Sequence, residues 1–290
     1  MNIINIITSE CQRFSNILNN FYSLKNKITE LIKVKNINIE HMSKSIHYNK
    51  GELGEICVVQ KLYNLSKEQL IDIFGEDASE GIEILNMETQ LPITNIDLIK
   101  KAPSLSKADC LIKFIKTKEL IYISIKCQNG SPPTILNHTP RSANVFSTDL
   151  KDELNTLDSI INKLNEKRKN NEVGEDIQIK NIDLSEEEKN CLINTVAYFT
   201  FDGSGKCKSK YQCNSVLEVN IINDPHCKTW KFIKCNTIED KKKYIESIYN
   251  RLVLSIRDKG MPKNIPESCK PWIIEMNSKK KGSLHIRLKK

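Results

Sequence analysis

Asp109-Cys110-Leu111-Ile112-Lys113-Phe114-Ile115-Lys116-Thr117-Lys118-Glu119-Leu120-Ile121-Tyr122-Ile123-Ser124-Ile125-Lys126 is the stretch on which the fold turns. Two runs rich in Ile, Leu and aromatic residues, 110–116 and 120–126, flank a polar Thr117-Lys118 link, which predicts two strands joined as a hairpin. Side chains two apart on a strand share a face, so Ser124 and Lys126 project together, and an antiparallel partner can bring Asp109 beside them. An Asp at that point can hold a divalent cation through its carboxylate oxygens. A neighbouring Lys can orient a water or offset charge on a phosphate under attack. The plain alternative is a surface Asp and Lys beside a turn.

Upstream, Leu53, Ile56, Val59, Leu62 and Tyr63 recur at helical spacing after the break at Asn49-Lys50-Gly51, which predicts a helix from Glu52 to Leu65. Glu52 and Glu55 lie one turn apart on it, so either can bring a second carboxylate to the metal. Further back, Ile3, Ile7, Phe14, Ile17, Leu18, Phe21 and Ile28 predict a helix over 3–34 within a helical N-terminal segment, residues 1–45. Residues 66–108 read as mixed, with Pro92 and Pro103 in loops. Downstream, 130–133 and the residues after it read as a loop. Leu150, Leu154, Leu157, Ile161 and Leu164 then predict a helix capped by Ser147 or Thr148. Ser185-Glu186-Glu187-Glu188 fits a capping box opening a helix to Phe199. Strands are expected at 215–222 and 230–235, a helix at 240–257, and a terminal hairpin pairing 272–276 with 283–288 around Lys279-Lys280-Lys281-Gly282.

The chain has 290 residues, 39% hydrophobic and only 6% aromatic, with a net charge of +8. That hydrophobic share excludes an extended disordered chain, and no uncharged apolar stretch is long enough to span a membrane. Ten cysteines are spread thinly through the chain, so reduced thiols in an intracellular, cytoplasmic protein are expected. Basic residues concentrate in 100–145, 203–214 and 259–290, whereas 149–190 holds twelve acids and seven bases. Three basic segments that meet in space would make a phosphate-binding surface.

The loop Phe201-Asp202-Gly203-Ser204-Gly205-Lys206-Cys207-Lys208-Ser209-Lys210-Tyr211-Gln212-Cys213-Asn214 is the main recognition candidate. Lys206, Lys208 and Lys210 can donate to guanine or phosphate, Ser209 to either, and Gln212 can bond adenine at two points. Asn137, Thr139 and Arg141, after the second strand, can clamp phosphates. His138 and His285 read as ordinary polar residues and Trp272 as a core anchor. Cys207, Cys213, His226, Cys227 and Cys235 lack a Cys-x-x-Cys pair, so zinc is not expected.

A helix Glu, a strand Asp and a strand ending in x-Lys form a layout that resembles the PD-(D/E)xK nuclease superfamily. Asn49-Lys50-Gly51-Glu52-Leu53-Gly54-Glu55 resembles the helix entry of type II restriction endonucleases. Ile123-Ser124-Ile125-Lys126, the following Gly130-Ser131-Pro132-Pro133-Thr134-Ile135-Leu136-Asn137, and Ser142-Ala143-Asn144-Val145-Phe146 are similar, in order, to a block in HpaII-type enzymes of that class. The resemblance covers residues 49–146 and implies an α/β restriction-endonuclease-like core, a mixed central sheet flanked by helices, over 46–150. An α+β C-terminal recognition region, 151–290, would be compact with it. It further implies Mg²⁺, with Mn²⁺ as a substitute, held by Asp109 and by Glu55 or Glu52, Glu55 being preferred. Lys126 would be the catalytic lysine. Ser124, among the site residues, stands where that superfamily usually carries Asp or Glu. Double-stranded DNA would be the substrate and a DNA methyltransferase the system partner; a homodimer is left open, and no membrane is involved. Two rivals remain: a repair or branched-DNA nuclease of the same superfamily, and a DNA-binding protein without activity.

Overall fold

The structure, a computed structural model, describes residues 50–127, 132–174, 176–220, 224, 227–259, 272 and 281–289. Residues Asn49–Lys290 make one compact unit. The expected N-terminal helical segment, His226 and the Lys279-Lys280 part of the terminal turn lie outside the described residues.

The site is carried by a five-stranded sheet in the order β1 (Ile82–Leu85), β2 (Cys110–Phe114), β3 (Leu120–Cys127), β6 (Ser215–Val219), β7 (Lys231–Lys234). Only the β3–β6 pair is parallel, so the sheet is mixed. The β2–β3 hairpin forms where the sequence places it, with Cys110 opposite Ile123 and Lys113 opposite Leu120. Lys118, at φ 62°, takes the left-handed conformation in its turn. A second, antiparallel sheet runs β4 (Thr134–Thr139), β9 (Lys281–Leu288), β8 (Leu252–Lys259), β5 (Asp176–Gln178).

Ile121, Ile123 and Ile125 alternate along β3 toward one face of the first sheet. There they share a core with Ile112 and Phe114 of β2, with Val58, Val59 and Leu62 of α1 (Lys50–Tyr63), and with Leu70, Ile73 and Phe74 of α2 (Lys67–Phe74). Leu53 and Tyr63, expected on the apolar side of α1, are exposed at 46% and 38%. The helix turns its 58/59/62 stripe inward instead, because that stripe meets the isoleucines of β3. Val216 of β6 belongs to a second core. It is shared by α4 (Leu154–Lys169), α5 (Glu186–Ala197), α6 (Ile238–Ile248) and, from the second sheet, Leu254, Leu284 and Ile286. The protein is thus mixed α/β, with helices flanking a mixed five-stranded sheet.

Several expectations are corrected. The helix after residue 150 starts at Leu154 with Glu153 at its N-cap. The Ser147 and Thr148 hydroxyls instead donate back to the Asn144 carbonyl, at 2.7 and 3.1 Å, and close the short α3 (Asn144–Ser147). The expected 240–257 helix stops at Ile248, and Leu252–Lys259 is β8. Leu252, Val253, Leu254, Ser255 and Ile256 are all buried, a pattern that suits a strand paired on both edges. Residues 283–288 lie in β9 as a strand, which pairs with β8 and β4; residues 273–276 of the expected partner lie outside the described residues. Residues 134–139, expected as loop, form β4 on the other edge of β9. Residues 67–74, read as mixed, form a two-turn helix closed by a Ser66–Gln69 capping box. The Ser185–Glu188 capping box opens α5 as its sequence predicts. Trp272 is buried, donating from Nε1 to Asp158 at 2.7 Å and meeting Phe146 edge-on at 5.9 Å. Among the described residues no helix is long and apolar enough to cross a membrane.

Candidate active site

The hairpin register decides which side chains meet. Asp109 directly precedes β2, and its N–H donates to the Ile123 carbonyl at 2.8 Å, one step beyond the Cys110–Ile123 pair. Beyond that step β2 offers no further backbone acceptor, and the Asp109 carboxylate takes its place. Asp109 Oδ2 accepts from the Ile125 N–H at 2.7 Å and from Ser124 Oγ at 3.5 Å. On the same face Lys126 Nζ donates to Ser124 Oγ at 2.7 Å. Ser124 is fully buried and acts as the hinge between the carboxylate and the ammonium.

The helix α1 adds Glu55. Burial pushes its carboxyl up to about 8; the charges of Asp109 and Glu52 push the same way, and Lys126 and Lys101 oppose them. Burial likewise holds Asp109 above the usual carboxylate range, against the pull of Lys126, the Ile125 N–H, Lys107 and Ser124. Glu52 is ion-paired with Lys101. Glu55 thus interacts electrostatically with both Asp109 and Lys126. Lys107, not among the expected site residues, is a further basic group here. Burial pushes its ammonium down to about 8, with the charge of Lys126 adding to the effect. Its only sequence signal is its place two residues before Asp109.

Burial holds both the Asp109 and the Glu55 carboxyl above their ordinary range despite the nearby lysines, and their hard oxygen donors suit Mg²⁺ or Mn²⁺. The residues therefore fit the cation. Among the described residues no group of three or more His, Cys, Asp and Glu side chains gathers. Asp109 and Glu55, which interact electrostatically, are the carboxylates that would hold such an ion. Asp109 also lines a cleft of about 160 Å³ with Val59, Ile99, Lys101 and Met87.

The basic loop is tied to this site through its backbone. The Lys107 and Ala108 N–H groups both donate to the Tyr211 carbonyl, at 3.0 and 3.1 Å. Ser209 Oγ accepts from the N–H groups of Lys107 and Tyr211 and donates to the Leu105 carbonyl at 2.9 Å. Ser209 is therefore buried and committed to this seam, not displayed for a base. Lys206, Lys208 and Lys210 are exposed, Lys210 over the Tyr211 ring at 5.0 Å, and Gln212 is half-buried. A Cβ on Gly203 would sit 2.3 Å from the Tyr198 hydroxyl, so any side chain there would force the Tyr198 ring to move. A Cβ on Gly205 would lie 3.3 Å from Thr139 Oγ1, which places the loop against the end of β4. Thr139 is buried, with no partner for that hydroxyl. Arg141 is held by Asp158 through three hydrogen bonds of 2.8–3.1 Å, and the same Asp158 anchors Trp272. Arg141 thus fastens α4 rather than reaching for phosphate. Asn137 is exposed on β4. Cys213, Cys227 and Cys235 are buried free thiols, and Cys207 is exposed.

No protein-family model matches the chain, and neither curated proteins nor solved structures give a significant match.

Proposed function

We propose that the chain is a Mg²⁺-dependent endonuclease of the PD-(D/E)xK type that hydrolyses both strands of double-stranded DNA at a short specific site, as a type II restriction endonuclease does. The observation that carries this reading is the junction of Asp109, Ser124 and Lys126 on adjoining strands, with Glu55 entering from the helix that packs on β3. Mg²⁺ held by Asp109 and Glu55 would supply Lewis-acid polarisation of the attacked phosphate. The Ile125 N–H fixes the Asp109 carboxylate, so its orientation costs nothing when substrate arrives. Ser124 takes one of the three Lys126 donors and leaves two for a non-bridging phosphate oxygen or the attacking water. Lys206, Lys208 and Lys210, on a loop sewn to the Asp109 entry, supply backbone charge for the duplex next to that phosphate.

Digestion of a sequenced, unmethylated genome with purified protein and Mg²⁺ tests this, with all ends read out. Ends clustered at one short sequence are expected. Ends set by branch points or nicks favour a structure-specific nuclease of the same superfamily. No cutting with Mg²⁺ or Mn²⁺ defeats the proposal and leaves a DNA-binding protein.

A further inference from the structure

Lys126 opens on a second cleft, of about 260 Å³, at the ends of β3 and β6 and the start of β7. Its floor is a row of charges set by strand register. Lys126 lies beside Glu218 in the parallel β3–β6 pair, and Glu218 lies beside Lys231 in the antiparallel β6–β7 pair. Registered residues on neighbouring strands share a face, so the three side chains project together. Glu218 is no counter-ion for the two lysines. Its oxygens accept from the Tyr244 hydroxyl at 3.1 Å and from Arg251 at 2.9 Å. Arg251 is in this way turned into the cleft, which it also lines, with further guanidinium donors to spare. Asn220 adds an amide. Lys231 is exposed, and among the described residues its side chain has no hydrogen bond or ion pair.

Three cations around one engaged carboxylate leave the cleft with an excess of two positive charges. Its polar groups, Lys126, Asn220, Thr229, Lys231 and Arg251, stand beside apolar walls of Pro133, Val219 and Leu288, and the volume suits a phosphate group. We infer that this cleft is a phosphate-binding subsite, in which Lys231 and Arg251 hold the phosphate that neighbours the one presented to Asp109 and Lys126. The inference rests on the nuclease reading only for the source of that phosphate, a DNA strand. The anion chemistry stands on the cleft alone.

The test uses the full chain with EDTA, so that no hydrolysis occurs. Duplex affinity is measured against salt for the wild type, Lys231→Ala, Arg251→Gln, and Lys169→Ala as a control on exposed α4. Each lost phosphate contact lowers the slope of log K against log salt by about 0.9. That loss is expected for Lys231→Ala and Arg251→Gln and not for Lys169→Ala. In parallel, inorganic phosphate is added during thermal melting of the wild type and Lys231→Ala. A Lys231-dependent rise in Tm without any duplex binding would place a free or terminal phosphate in the cleft. That result would keep the subsite and remove an internal DNA phosphate as its ligand, while the nuclease reading is decided separately by cutting with Mg²⁺. A Lys231-dependent salt slope without that rise assigns an internal phosphodiester. If the wild type binds duplex with a slope that both cleft variants leave unchanged, and phosphate leaves the melt unmoved, the subsite is overturned and the nuclease reading is untouched.

Discussion

The start of α5 and the mouth of the β2–β3 hairpin are built from the same three residue types, a carboxylate, a serine and a lysine, with opposite results. At α5, Glu188 accepts from Lys163 Nζ at 2.6 Å, from Ser159 Oγ at 2.9 Å and from the Ser185 N–H at 2.8 Å. Burial pushes this carboxyl up, but those three donors outweigh it and hold it below the usual range. At the hairpin the lysine gives its hydrogen bond to the serine, not the acid. Asp109 keeps one close backbone donor, a second carboxylate stands by, and both acids are pushed up. One trio is a closed structural clamp. The other keeps two buried carboxyls above their ordinary range, which is the state expected of a place that receives a cation or a charged substrate.

The sharpest way to break this comparison is to exchange a lysine in each trio. Lys126→Ala or Asp109→Asn should lower the Mg²⁺-dependent cleavage rate by about a thousandfold or more while leaving the melting temperature in EDTA close to wild type. Asn can still accept from the Ile125 N–H, so the fold keeps that bond. Lys163→Ala should do the reverse, lowering stability without changing the rate per folded molecule. Rates and melts on all three variants check this. An equal loss of cleavage in Lys163→Ala would erase the distinction between the two trios.

A smaller effect belongs to Glu188 itself. Glu188→Ala removes the capping-box acceptor and the Lys163 pair, and is expected to cost about 2 kcal/mol at pH 7, discounted for the 41% exposure of Lys163. The folded carboxyl titrates below its ordinary value of 4.5. Its stabilisation is therefore complete above that value and is lost as pH falls through the folded one. Denaturant melts at pH 7 and at about pH 3 should show the wild type and the variant converging at the acid end. A gap that stays constant with pH would mean that the charge of Glu188 contributes nothing.

What could be read from the sequence follows the range of the interactions. The β2–β3 hairpin, the Ser185 capping box and the α1 helix rest on neighbours close in the chain, and each lies where its residues predict. The second sheet does not: β4 meets β9 about 150 residues away, so nothing near Thr134 marks it as a strand. Leu252–Lys259 carries a pattern that extends the α6 helix equally well, and only pairing with β9 decides for a strand. The site divides the same way. Asp109, Ser124 and Lys126 are adjacent through a local hairpin and could be placed together from the sequence. Glu218, Lys231 and Arg251 come from three separate elements, and Arg141 and Ser209 looked free because Asp158 and Leu105 were not visible as their partners.

The smallest change probes the serine that the two trios share. Ser124 Oγ bridges Lys126 and Asp109, whereas Ser159 Oγ serves only Glu188. Ser124→Ala frees the Lys126 ammonium from its fixed direction but leaves Asp109 bonded to the Ile125 N–H. The expected outcome is a cleavage rate about tenfold lower, equivalent to about 1.4 kcal/mol of lost positioning, with the Mg²⁺ concentration at half-maximal rate unchanged. Ser124→Asp should instead move that concentration downward, because it adds a carboxylate beside Asp109. Ser159→Ala should cost about 1 kcal/mol of stability and leave both kinetic quantities alone. If Ser124→Ala shifts the Mg²⁺ midpoint as far as it lowers the rate, the hydroxyl belongs to the metal and not to the lysine. The closed and open trios would then differ in their ligand sets, not in where the lysine points.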